Sequence, residues 1–287
     1  MSCPGELVRI DDTSLWVVDR GASDAHPVLV LHGGPGLDHH EFGDYLDPLT
    51  DEFRLLLIDL RSQGRSEKAP PQTWTIERMA QDVIMLARAI HLRRYSVLGH
   101  SFGAMVALQN AVDYPGGAAS TIVSHGVASA RWFEEVDREV EKLEPPDVRE
   151  RVKASIASES SARTQAEFER LNEDQMPFHF ANTQDPRIGD YIRRSAETVY
   201  APDVLAAFSS DSYGRIELED RLSDIPQPTL VLAGRYDRVC PVRASRSMAR
   251  RIPGAELHVF ERSAHMSFVE EQPLYLDVVR TFLRRTA

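Results

Sequence analysis

Short, uninterrupted apolar runs alternate along much of this chain with longer stretches whose apolar residues recur every three or four positions. Residues 7–10 and 14–18 flank the turn Asp11-Asp12 and predict an opening hairpin. The runs at 28–31 (VLVL), 53–60 (FRLLLIDL), 95–98, 229–233 (TLVLA) and 257–260 (LHVF) are continuous rather than alternating. That is the pattern of strands in a parallel sheet covered on both faces. Residues 75–90 carry apolar side chains at 76, 79, 83, 86, 87 and 90, which is helical spacing. The stretches 102–113, 242–251 and 274–283 read the same way. Strands alternating with helices predict βαβ units and an α/β fold with a doubly wound, mostly parallel sheet.

One region breaks the alternation. From 131 to 222 no buried strand is apparent, and the sequence is rich in Glu, Arg, Ser and Ala, as in WFEEVDREVEKLEPPDVRERVKASIASESSARTQAEFERL. Prolines at Pro145-Pro146, Pro177, Pro186 and Pro202 divide it into amphipathic helices. The expectation is a helical cap over 131–222, inserted into a core formed by 1–130 and 223–287. The competing reading, helices that simply cover one sheet face, fits such a long strand-free run less well.

Composition narrows the partners. The 287 residues are 42% hydrophobic and 27% charged, ordinary for a globular protein. Lys plus Arg number 33 against 44 Asp plus Glu, a formal net charge of −11. An acidic surface repels phosphate backbones, so nucleic acid is not an expected partner, and neither is an anionic membrane. Cys3 and Cys240 are too few and too far apart for a disulfide framework, which points to a reducing cytoplasm. The opening MSCPGELVRIDD lacks the basic and apolar regions of a signal peptide. No apolar run approaches the ~20 residues of a membrane-spanning helix. Nothing in the pattern sets an oligomeric state.

The candidate chemistry sits where strands hand over to helices. After the run at 95–98 comes Gly99-His100-Ser101-Phe102-Gly103, and then a helix. A serine hydroxyl is a weak nucleophile at neutral pH. It needs a base, a group that orients the base, and donors aimed at the developing oxyanion. A Gly-x-Ser-x-Gly turn between a buried strand and a helix projects the serine oxygen and aims the helix N-terminus at it. The motif alone is common and could be a plain turn; its setting makes Ser101 the candidate nucleophile. His32-Gly33-Gly34-Pro35-Gly36 follows the run at 28–31, and its glycines allow a backbone amide to approach a ligand closely. The Gly34 and Phe102 amides are therefore the candidate oxyanion donors.

Of ten histidines, His26, His39, His40, His91, His125, His179 and His258 have no special context, and His32 and His100 belong to the two motifs. His265 lies in FERSAHMSFVEEQP, at the carboxyl end of a late strand, where this kind of sheet gathers its ligands. Asp237, in GRYDRVCPV after the run at 229–233, is the candidate acid. Glu261 is the rival, only four residues before His265 on the same strand exit. No H-E-x-x-H and no cysteine pair at ligand spacing occurs, so neither metal nor cofactor is expected.

The order Ser101, Asp237, His265 and the two loops together resemble the α/β-hydrolase superfamily over nearly the whole chain. Within it, HGGPG at 32–36 is similar to the oxyanion loop of proline iminopeptidases, DLRSQGRS at 59–66 to the family's Asp-x-Arg-x-x-Gly-x-Ser segment, and AHMSFVEEQP to the segment around its histidine. The resemblance implies a helical cap and a serine hydrolase that releases N-terminal residues from short peptides. Two departures stand out. The elbow is Gly-His-Ser-Phe-Gly, a form commoner in esterases, lactonases and C–C hydrolases, so a carboxylesterase or lactonase acting on small acyl esters is the alternative. Arg238 occupies the position where some relatives place an acid that binds the substrate amine; cap acids such as Glu173, Asp174, Glu217 or Glu219 could replace it, although acids are abundant there and each reads first as a solvated surface charge. A non-catalytic ligand-binding receptor of the same fold would call for a broken triad or oxyanion loop, and neither is broken. Phe102, Trp132, Phe133, Phe178, Phe180 and Phe208 are candidates to line an apolar pocket.

Overall fold

Eight strands form one sheet in a computed structural model that describes residues 5–287; Cys3 lies outside the described residues. In chain order they are β1 (Glu6–Arg9), β2 (Ser14–Arg20), β3 (His26–Leu31), β4 (Phe53–Ile58), β5 (Ser96–His100), β6 (Ser120–Ser124), β7 (Thr229–Gly234) and β8 (Glu256–Phe260). Their spatial order is β1-β2-β4-β3-β5-β6-β7-β8. β2 runs antiparallel to both β1 and β4, and every other pairing is parallel.

The period-two geometry of the strands divides the interior in two. Leu29, Leu31, Val97, Val123 and Val231 face one core, packed by helices α1 (Ile76–Ala89), α2 (Phe102–Asp113) and, near Cys240 in chain order, the helix Val242–Arg251. Val28, Val30, Leu98, Ile122 and Leu230 face the other, against the C-terminal helix Gln272–Thr286. This is the doubly wound sheet that the apolar runs imply. α1 starts where Thr75 accepts a hydrogen bond from the Arg78 amide, an N-cap bond.

β6 is the strand that the sequence pattern does not announce. Its sequence is STIVS, and all five residues are buried. The polar side chains are tolerated because they pair: Ser96 and Ser120 share a hydroxyl hydrogen bond of 2.8 Å, and the Tyr275 hydroxyl donates to Ser124 Oγ at 3.1 Å.

Between β6 and β7 the chain is helical: α3 (Val136–Val140), α4 (Pro146–Ser158), α5 (Gln165–His179), α6 (Arg187–Arg194) and α7 (Pro202–Ser209). The helix Val242–Arg251 is then α8, with α9 (Ser267–Glu270) and α10 (Gln272–Thr286) closing the chain. Val140, Leu143, Val148, Val152 and Phe178 form a separate small core within the inserted helices. α5 opens with a capping box between Thr164 and Glu167. Its C-terminal end is tied to the loops after β7 and β8. The Arg238 guanidinium donates to the carbonyls of Phe178 at 3.1 Å, Phe180 at 2.6 Å and Ala181 at 3.2 Å. The Glu270 carboxylate takes the amides of Ala181 and Ala264, each at 2.8 Å. Among the described residues, no helix is long and apolar enough to cross a membrane.

Candidate active site

β5 delivers Ser101 in a backbone conformation that few non-glycine residues adopt, with φ 52° and ψ −115°. The turn is held by a hydrogen bond from the Ser101 amide to the Ser124 carbonyl at 2.9 Å, so the end of β6 braces it. Its two glycines are sterically required. A Cβ on Gly99 would lie 2.1 Å from the Gly103 carbonyl oxygen, and one on Gly103 would lie 2.3 Å from that of Leu31. The tight crossing of β5, α2 and the end of β3 thus brings the elbow against the HGGPG loop.

In that loop the amides are divided by function. Gly33 donates to Glu41 Oε2 at 2.5 Å and Gly36 to Gln63 Oε1 at 2.5 Å. The Gly34 amide makes no hydrogen bond to the chain among the described residues. Gly34 has φ +111°, a conformation suited to glycine. Phe102 is the first residue of α2, so its amide has no intrahelical acceptor. Gly34, Ser101 and Phe102 line one cavity. His32 anchors the loop from below: its Nδ1 bonds the Gly33 carbonyl at 2.7 Å, and its Nε2 accepts the Leu60 amide at 3.0 Å.

The DLRSQGRS segment is scaffolding for the same loop. Asp59 accepts from the His39 amide at 2.9 Å and from the Arg65 amide at 2.8 Å. Arg61 is fully buried and pairs with Asp82 at 2.7 Å and Asp12 at 2.8 Å. Asp38, His39 and His40 are grouped closely enough to hold a metal ion. Asp38 already carries the Arg65 guanidinium at 2.8 Å, however, so that group has its cation.

The loops after β7 and β8 bring Asp237 to His265. Asp237 Oδ2 bonds His265 Nδ1 at 2.8 Å, and Asp237 Oδ1 accepts the amides of Val239 at 2.9 Å and Cys240 at 2.8 Å. Burial pushes the His265 imidazole down, but the charge of Asp237 and its hydrogen bond override this and leave the group above its ordinary value. Burial likewise pushes Asp237 up, and His265 brings it below the ordinary carboxylate value. His265 lines the same cavity as Ser101. No hydrogen bond joins the two among the described residues, as is common before substrate organises such a pair. Glu261, the rival acid, instead pairs with Arg235 at 2.5 Å on the surface.

Three further histidines surround His265: His100 at 5.0 Å, His125 at 5.7 Å and His179 at 5.3 Å between ring centroids. Burial drives His100 well down, His125 to about 3 and His179 to about 4, so all three are neutral at pH 7. The cluster is thus polar without adding cations beside His265. The sequence gives no signal for His125 and His179, because the first follows the unannounced β6 and the second belongs to an inserted helix.

The cavity has a volume of about 280 Å³. Phe102, Phe133 and Phe178 line it as expected, whereas Trp132, Phe180 and Phe208 do not. Phe208 instead packs edge-on against Phe102 at 4.9 Å. The acids at its wall are Glu41, Asp137 and Glu159. None of the four acids named as possible replacements for an amine-binding acid is among them. Glu173 is exposed, Asp174 faces Arg151 at 3.8 Å, Glu217 takes the Ser129 hydroxyl at 2.6 Å, and Glu219 pairs with Arg131 at 2.6 Å. Arg238 is turned into the carbonyls at and just after the end of α5, so its charge is spent there.

Comparison with known proteins identifies the fold family. A family model described as the alpha/beta hydrolase fold matches residues 26–272. A proline iminopeptidase from Clostridium botulinum is 29% identical over 279 residues, covering 94% of this chain and 93% of its own. The structure of a proline iminopeptidase from Mycobacterium smegmatis superimposes with a TM-score of 0.75 at 23% identity, over 98% of both chains. An esterase from Exiguobacterium antarcticum does so with a TM-score of 0.77 at 22% identity, over 98% of this chain and 99% of its own.

Proposed function

Because the chain belongs to the alpha/beta hydrolase fold family, we propose that its hydrolase chemistry is a two-step acyl transfer from Ser101, most consistent with release of N-terminal residues from short peptides. The observation that carries the reaction type is the Asp237–His265 hydrogen bond of 2.8 Å, opening onto the cavity that also holds Ser101. His265 Nε2 takes the Ser101 proton as Oγ attacks the substrate carbonyl. Asp237 holds the Nδ1–H and stabilises the imidazolium that forms. The negative oxygen settles on the Gly34 and Phe102 amides. His265 then returns the proton to the leaving amine, and water activated by the same imidazole hydrolyses the acyl-enzyme. Metal ion and cofactor have no role in this scheme. The inserted helices act as the cap that chooses the substrate.

The peptidase reading is supported by the curated relative named proline iminopeptidase, aligned over almost the full length of both chains. The acidic groups at the cavity wall favour a cationic substrate end. A carboxylesterase or lactonase is the second reading, favoured by the many apolar side chains that the cap contributes to the cavity, among them Phe133, Ile156 and Phe168. Cys240 is a free, buried thiol, in keeping with a cytoplasmic location.

The test is paired turnover of proline p-nitroanilide and p-nitrophenyl butyrate by the wild type and Ser101→Ala. Anilide cleavage that disappears in the variant supports the peptidase. Ester cleavage alone selects the second reading, and turnover that persists in Ser101→Ala overturns the mechanism.

A further inference from the structure

Glu41 is a carboxylate with an unfilled position beside the proposed nucleophile. It lies in the 3-10 turn His39–Phe42, just after the HGGPG loop, and is only 6% exposed. A Cβ added at Gly33 would lie 2.6 Å from Glu41 Oε1 and 3.1 Å from Ser101 Cβ, so the carboxylate and the serine converge on the same side of the loop. Both line the cavity. Oε2 takes the Gly33 amide at 2.5 Å. Among the described residues no Lys, Arg or His forms an ion pair with Glu41. Burial pushes its carboxyl up to about 7, against the opposing pull of that amide and of His265.

The other two acids of the cavity are placed differently. Glu159 has both oxygens engaged, one by Gln175 Nε2 at 2.8 Å and the other by the Tyr213 hydroxyl. Asp137 belongs to α3, on the cap side. Arg238, at the position where some relatives are expected to carry an amine-binding acid, points away into the end of α5.

We propose that Glu41 is the residue that recognises the free α-amine of the substrate, so that this hydrolase selects acyl groups bearing a primary or secondary ammonium next to the reacting carbonyl. The geometry suits this role, because the α-amine is one carbon removed from the carbonyl that Ser101 attacks. The energetics suit it too: a buried carboxylate without a counter-ion is costly, and a substrate ammonium supplies the missing partner. The same pairing places the acyl carbonyl over the elbow, with the Gly34 amide one residue along from the amide that Glu41 already holds. The inference rests on the reading of this protein as a hydrolase that transfers an acyl group through Ser101, and it assigns the choice of acyl group to the core rather than the cap.

The experiment compares two p-nitrophenyl esters that differ only in the amine, 2-aminobutyrate and butyrate, with wild type and Glu41→Gln. Glutamine keeps an acceptor for the Gly33 amide and removes the charge. The expected result is a fall in the kcat/KM ratio of the amino ester to the neutral ester by on the order of 10²-fold, the cost of stripping one partner from a buried charge pair. A ratio that does not change, with both esters falling together or neither falling, overturns the inference and leaves Glu41 as a brace for the loop. Stoichiometric labelling of Ser101 by a neutral fluorophosphonate shows that the variant site is formed, and the ratio between the two esters reads out the charge whatever the absolute rates. Should Glu41→Gln not fold, Glu41→Asp, which retains the charge on a shorter arm, is expected to keep most of the preference for the amino ester; loss of that preference overturns the inference. Proline p-nitroanilide serves as the third substrate. If wild type ignores the anilide yet prefers the amino ester through Glu41, the peptidase reading fails while the amine-recognition inference stands.

Discussion

The two walls of the cavity are built on different principles. The core wall carries Gly34, Glu41, Ser101, Phe102 and His265, each placed by a loop at the end of a parallel strand or by the turn that follows it, beside apolar residues such as Leu37, Met105 and Met266. Its chemistry depends on backbone geometry: a serine at φ 52°, an amide at the start of α2, a glycine at φ +111°. The wall formed by the inserted segment carries Phe133, Val136, Ile156, Phe168, Leu171 and Phe178, and two of its polar residues, Glu159 and Tyr213, are hydrogen-bonded to each other. On the proposed mechanism, one wall holds the groups that react and the other the surfaces that set what fits. Function resides in the site rather than the fold, and under the proposed mechanism the site itself divides into a reacting half and a shaping half.

The largest effect expected on the reacting half comes from Asp237→Asn. Asparagine can still accept the Val239 and Cys240 amides, so the loop keeps its shape. Its amide end cannot accept the His265 Nδ1–H, which favours the wrong tautomer. A loss of ~10⁴ in kcat with an unchanged melting temperature is expected. Steady-state kinetics and a thermal melt check both parts. Next comes Gly34→Ala. A Cβ there would sit 2.9 Å from the Gly36 amide nitrogen, on a residue at φ +111°. The donor should shift, costing ~10²–10³ in kcat for esters and anilides alike, as loss of one oxyanion donor does.

The same comparison is sharpened by a change that should act only through the cap. Arg238 adjoins Asp237, but its guanidinium holds three carbonyls at the end of α5. Arg238→Met should loosen α5 against the core. Charged hydrogen bonds are worth about 1.5–3 kcal/mol, so a rise in KM of about 10-fold with little change in kcat is expected, along with a melting temperature lower by a few degrees. If kcat instead collapses as in Asp237→Asn, the division into two walls is wrong at this residue.

The two walls also differed in how well the sequence announced them. The continuous apolar runs gave the central strands, and the Gly-rich turns pointed to Ser101 and to the loop around Gly34, because a sharp strand-to-helix turn leaves a compositional mark. The loops holding Asp237 and His265 were found by their place after strands. β6 escaped because its buried hydroxyls, Ser120 and Ser124, look exposed in a hydropathy pattern and become apolar-compatible only through partners distant in sequence. Glu41 escaped for a related reason. An isolated acid in a polar stretch, DHHEFGD, carries no periodic signal, and only the fold shows that it is buried next to Ser101. Glu173, Asp174, Glu217 and Glu219 stay outside the cavity for the converse reason. Abundant Glu and Asp on amphipathic helices are mostly solvated or paired, and the helix register alone did not say which face meets the cavity.

The smallest expected effect tests whether the core wall really carries an isolated charge. Burial raises the Glu41 carboxyl from 4.5 to about 7, while His265 lowers it and Asp38 raises it further. In the unfolded chain the group titrates near its ordinary value, so between those two pH values the folded state holds more of the proton. Stability contributed by this group therefore falls as pH rises through that window, and it stays reduced above pH 7. Glutamine does not titrate. Glu41→Gln should melt at nearly the wild-type temperature at pH 5 and a few degrees higher at pH 8. Glu270, also raised to about 7 by burial, imposes the same slope on both proteins and cancels in the difference. Equal melting temperatures at pH 8 would mean that the Glu41 charge is already compensated in the free protein. The core wall would then offer a substrate ammonium no more than the cap does.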